Sequence, residues 1–155
     1  PMSEEGRYKK IVVPIDGSGW SERAIPHAVD LACISNGEII LLHILRPPLH
    51  EYADTLALAG EDEQMTRIRE NMKQKLMALR SQLRSENVSC RAQVIEAVGI
   101  ADQIADYVRD EEVDLVVMST HGRTGLGRFV FGSVAQKVMQ LVDIPVLLIR
   151  PDKGE

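Results

Sequence analysis

Four nearly continuous apolar runs constrain this chain more than any other feature. They are Ile11-Val12-Val13-Pro14-Ile15, Ile39-Ile40-Leu41-Leu42-His43-Ile44, Leu115-Val116-Val117-Met118 and Val146-Leu147-Leu148-Ile149. Each is far shorter than the roughly 18 residues of a membrane span. None alternates polar with apolar, as a strand open to water on one side would. Continuous runs of this kind read as strands covered on both faces, which is the signature of a parallel sheet. A weaker fifth stretch from Val88 to Glu96 does alternate, as expected at a sheet edge.

Helical periodicity fills the gaps between the runs. Ile25, Ala28, Val29 and Ala32 recur at helical spacing until Asn36-Gly37 stops the helix. From Glu63 to Glu86, Met65, Ile68, Met72, Leu76, Leu79 and Leu83 step by three and four. That predicts the longest helix, its apolar stripe packed on the sheet. A cofactor role for its methionines is the less favoured alternative. Arg46-Pro47-Pro48 opens a connection expected to run to about residue 62 as the most mobile segment. Ile100, Ile104 and Val108 mark a helix after Gly99, and Val134, Val138 and Leu141 mark another from about Gly132. Strict alternation across residues 1–155 predicts one α/β domain, a doubly wound five-stranded parallel sheet with four helices and right-handed crossovers.

Ligands of such sheets sit beyond the carboxyl ends of the strands, where the winding reverses. Two features lie there: Asp16 after the first run, and the loop Ser119-Thr120-His121-Gly122-Arg123-Thr124-Gly125-Leu126-Gly127 after the fourth strand. If those two strands are neighbours, in the order 3-2-1-4-5, one crevice takes both. Glycines let backbone N–H groups approach a ligand, and Gly132-Ser133 opens a helix whose first amides carry partial positive charge. Together they predict a phosphate site, with Ser133 adding a hydroxyl; Arg123 and Arg128 could add charge, although solvation alone is the favoured reading of arginines in a loop. A side chain at Gly132 is expected to fill phosphate space without harming the fold. Asp16 is either a ligand-facing acceptor or a helix N-cap. His43 reads as a satisfied core residue, and His121 as a phosphate contact or a turn stabiliser.

Several classes drop out. A formal net charge of −5 and a pI near 5.4 oppose general nucleic-acid binding. Residues 127–134 imitate part of a Walker A loop, but Ser133 and Val134 stand where its lysine and hydroxyl belong. A phosphoacceptor receiver needs clustered acids after the first strand and a lysine after the fifth, and the chain offers only Asp16 and Arg150-Pro151. Cys33 and Cys90 lack metal-ligand spacing and read as small apolar filler. Without an apolar span or h-region, a cytoplasmic location with no membrane partner is expected.

From Tyr8-Lys9-Lys10-Ile11 to Pro145-Val146-Leu147-Leu148-Ile149 the chain resembles the universal stress protein family in its ATP-binding branch. The motif G-x2-G-x9-G-[ST] is met by Gly122, nine residues and Gly132-Ser133, with Ser119 in place of the first glycine. The resemblance implies an adenine nucleotide alpha hydrolase-like fold with ATP, ADP or AMP at the switch point. It places Pro14, Ile15 and Asp16 on the adenine and ribose side, Ile44 on the base, and Met118 and Val134 as apolar walls. It makes Ser119, Gly122, Gly132 and Ser133 phosphate donors, and it matches Gly99 to a family glycine after the third strand. Magnesium would ride on the phosphates with mostly water ligands. A homodimer through Val146–Ile149 is implied, and it would cover an apolar sheet edge. Three functions follow as alternatives: an ATP-binding stress-response module with slow or no hydrolysis, an ATP-using hydrolase or nucleotidyl transferase, and a nucleotide-independent protein-interaction module.

Overall fold

The computed structural model describes residues 6–47, 55–120 and 132–150. The strands are β1 (Lys10–Pro14), β2 (Glu38–Leu45), β3 (Ser89–Glu96), β4 (Leu115–Ser119) and β5 (Val146–Ile149). They form one parallel sheet in the order β3-β2-β1-β4-β5. The helices are α1 (Gly19–Glu22), α2 (Ala24–Ser35), α3 (Thr55–Ser85), α4 (Ile100–Asp110) and α5 (Ser133–Leu141). With α1 and α2 taken as one interrupted stretch, four helices wind around five strands, as the alternation predicts.

Side-chain alternation along the central strands feeds two cores. Ile11, Val13, Ile39, Leu41 and Val117 point toward α2 and α3, where Ala28, Met72 and Leu76 meet them. Val12, Ile40, Leu42 and Val116 point the other way, toward Ile104, Val108 and Val138 of α4 and α5. Ile11, Val12, Val13, Ile39 and Ile40 are each fully buried. Each such side chain contributes about 1.5–3 kcal/mol relative to exposure. A buried strand pair with no polar outlet therefore explains the nearly continuous apolar runs. β1 and β4, far apart in sequence, are pinned at their starts: Asp114 Oδ2 accepts from the Lys9 and Lys10 amides at 3.0 and 2.9 Å.

Three expectations need correction. Helix α3 begins at Thr55, not near 63. Leu56, Ala57, Leu58 and Ala59 are strong helix formers, enough to carry the helix through Gly60, which costs about 1 kcal/mol against alanine. Of the expected long connection, residues 48–54 lie outside the described residues. The first helix breaks at Arg23 because Pro26 has no N–H to donate to the Glu22 carbonyl. Cys33 is exposed, since it shares the outer face of α2 with Asp30, whereas Cys90 is buried as expected.

Candidate functional site

At the carboxyl end of the sheet, β1 and β4 part to opposite crossovers, and a cavity of about 580 Å³ opens there. Pro14, Ile15 and Asp16 form its floor from β1, and Ile44 reaches it from β2. Met118 and Ser119 of β4 and Gly132, Ser133 and Val134 at the start of α5 form the opposite wall. Gly99 does not line the cavity; it is the N-cap residue of α4. Gly122, Arg123 and His121 lie outside the described residues.

The floor is organised by short-range hydrogen bonds. Asp16 Oδ1 accepts from the Ser18 amide at 2.8 Å and from the Ser18 hydroxyl at 2.5 Å. Ser18, not Asp16, is the N-cap of α1, its oxygen accepting from the Ser21 amide at 3.2 Å. Ser21 returns the tie: its hydroxyl accepts from the Asp16 amide at 3.2 Å and donates to the Ser18 carbonyl at 2.9 Å. Gly17 between them has φ 93°, a left-handed angle that a side chain would strain. The result is a carboxylate held at the cavity floor by its own turn. His43 behaves as expected of a satisfied core residue: it is buried, and its Nδ1 lies 2.6 Å from the Ile15 carbonyl oxygen. That oxygen can only accept, so Nδ1 carries the proton.

The opposite wall departs from the sequence reading in two places. The Gly132 amide donates inward to the Thr120 carbonyl at 2.6 Å. A Cβ on Gly132 would stand 2.9 Å from that same oxygen, so a side chain there disturbs the β4–α5 joint and not only a ligand. The Ser119 hydroxyl donates to the Trp20 carbonyl of α1. Among the described residues, what remains for an anion is the first turn of α5, whose amides have no intrahelical acceptor and whose N-cap residue, Gly132, has no side chain to bond them. That terminus presents about half a positive charge to the cavity.

Sequence reasoning missed other lining residues. Arg46 stands at the cavity as the first polar residue after the β2 run, a signal that was readable but unused. Met65, Ile68 and Met72 of α3 also line it; for the methionines a cofactor role was the less favoured alternative, because their periodicity points to sheet packing. Among the described residues no group of His, Cys, Asp and Glu is arranged to hold a metal ion. No described helix is long and apolar enough to cross a membrane.

Comparison with known proteins places these features in a family. The family model for universal stress proteins matches residues 7–150. A universal stress protein of Methanocaldococcus jannaschii is 31% identical over 156 residues, covering 92% of this chain and 95% of its own. The solved structure of a universal stress protein from Lactobacillus plantarum superposes with a TM-score of 0.83 at 20% identity, over 94% of this chain and 100% of that one. A universal stress protein from Archaeoglobus fulgidus, solved in complex with dAMP, has a TM-score of 0.64 at 23% identity, over 93% of this chain and 99% of that one.

Proposed function

The chain belongs to the universal stress protein family, and from that premise we propose that it is an ATP-binding stress-response module. The observation that carries the reading is the cavity at the switch point, with apolar walls, one braced carboxylate and one uncapped helix N-terminus. An adenine nucleotide matches those three parts. Its base suits Pro14, Ile15 and Ile44, its ribose hydroxyls suit Asp16, and its phosphates suit the amides of α5 and the loop of Gly122 and Arg123. The dAMP complex of the Archaeoglobus fulgidus relative supports the ligand class.

The module holds ATP better than it consumes it. Fast phosphoryl transfer needs neutralised γ-phosphate charge, a positioned nucleophile and a firmly held metal. Asp16 is the cavity's only carboxylate among the described residues, and it is already engaged by Ser18. A magnesium ion therefore rides on phosphates and water. Binding of this uniform kind does not lower the reaction barrier. Its output is a conformational signal.

The module acts as a homodimer paired through β5. This strand is an edge of the sheet, and Leu147 on it is 37% exposed. Antiparallel pairing across a two-fold axis covers that edge.

Mass spectrometry of natively purified protein, followed by calorimetry with ATP, tests the reading. Nucleotide retained at one per chain, with Asp16→Ala weakening ATP affinity by about tenfold, is the expected result. Absence of retained nucleotide together with no ATP binding at millimolar concentration would sink it.

A further inference from the structure

Helix α3 has two unlike halves. Beyond Met72 toward its carboxyl end it buries Leu76 and Leu83 in the core. Over residues 62–71 only Met65 and Arg69 are even half-buried, and Ile68 is 47% exposed. Yet Met65, Ile68 and Met72, one face of successive turns, all line the cavity. This half is tied down at its flanks. Arg69 bonds Glu96 at the end of β3, while Lys75 Nζ donates to the Gly17 carbonyl at 2.7 Å and pairs with Glu22 at 3.3 Å. The ties hold an apolar face over a space that no described side chain fills.

We infer that α3 is the wall against which the base of the nucleotide packs, with Met65, Ile68 and Met72 as base-contacting residues. The inference rests on the nucleotide reading above and says where the ligand ends. The anion belongs at α5, whose N-terminus adjoins β4. The α3 face lines the same cavity as Ile44 and Leu45 at the end of β2, a strand two places from β4 through β1, or about 10 Å. That separation is about the reach from a nucleotide's phosphates to its base. A flat, apolar purine is the part of the ligand able to bury half-exposed aliphatic side chains there. Methionines adapt their shape to such a surface at little cost. Binding therefore covers Ile68 and Met65, so that the exposure of this face reports occupancy.

Methionine oxidation read by mass spectrometry tests this, because α3 carries its own control. Met77 is 50% exposed and does not line the cavity. With dilute peroxide, saturating ATP is expected to slow oxidation of Met65 about fivefold and leave Met77 unchanged. Ile68→Asp is expected to weaken ATP binding about tenfold by calorimetry, with its thermal midpoint held, since the side chain is outside both cores. Wild-type protein that binds ATP yet shows equal Met65 oxidation, and an Ile68→Asp variant of unchanged affinity, would overturn the inference alone. Wild-type protein that binds no adenine nucleotide would take down the parent reading and this one with it. If Ile68→Asp shifts the midpoint, Met65→Ser replaces it in the same two measurements.

Discussion

The two halves of α3 share one helix and one apolar periodicity, but they face opposite circumstances. The carboxyl-terminal half meets a filled core, where Leu76 is 1% exposed and Cys90 of β3 is buried beside it. Its end is fastened by Arg84 Nε, which donates to the Cys90 carbonyl at 3.0 Å. The amino-terminal half meets a cavity. A stripe of apolar residues thus marks a face that must be covered, and it leaves open whether the covering is protein or ligand. The carboxyl-terminal half packs the core; the amino-terminal half is the one proposed for recognition.

The sharpest way to separate the halves is Leu76→Ala. Deleting a fully buried leucine leaves a void, and a loss of about 3 kcal/mol in urea unfolding is expected, with ATP affinity of the folded fraction unchanged. Equal losses of stability and affinity would show that the halves act as one unit.

A pH scan sharpens the packed side. Burial pushes the Cys90 thiol up from its ordinary 9.0 to about 11, against the lowering influence of Arg84 and Arg80. The folded state prefers the protonated thiol, so this contribution is fully present below pH 9 and is lost as pH rises toward 11. The loss is on the order of 2 kcal/mol. Urea unfolding at pH 8 and pH 10.5 should show it in the wild type and not in Cys90→Ala. A variant with the same alkaline loss would place the titration elsewhere.

The smallest effect belongs to the other half. A Cβ on Gly60 meets nothing within 4 Å, so Gly60→Ala removes backbone freedom without a clash. A gain of about 0.5–1 kcal/mol in local helix stability is expected, read as slower amide exchange over the first turns of α3. If exchange slows equally around Leu76 and Leu83, the amino-terminal half is not an independent unit.

β1, β2 and β4 were legible because strands buried on both faces have one solution in sequence, a nearly unbroken apolar run. The runs alone left the order conditional; the observed order β3-β2-β1-β4-β5 brings Pro14, Ile15, Asp16 and Met118 to one cavity. Other features were not readable, for separate physical reasons. Leu and Ala in 56–59 look the same in a loop as in a helix until the following turns nucleate it. Periodicity finds the apolar face of α3 but not the empty space beneath Met65 and Ile68. The direction of a backbone amide is set by tertiary closure, so Gly132 points to the Thr120 carbonyl without any sign in its neighbours. Ser119 likewise spends its hydroxyl on Trp20, a residue 99 positions away.

The seam between β1 and β4 has a consequence for the chain's life before it is finished. Asp114 clasps the Lys9 and Lys10 amides across 105 and 104 residues, and β1 also pairs with β4 through Ile11–Leu115 and Val12–Val116. Contacts of such separation close late in folding. During synthesis, β1 can pair only with β2 until β4 has emerged, and the uncapped start of α5 emerges later still. The adenine nucleotide proposed for this site would therefore not guide the early steps of folding; it would select the completed fold and stabilise it by mass action.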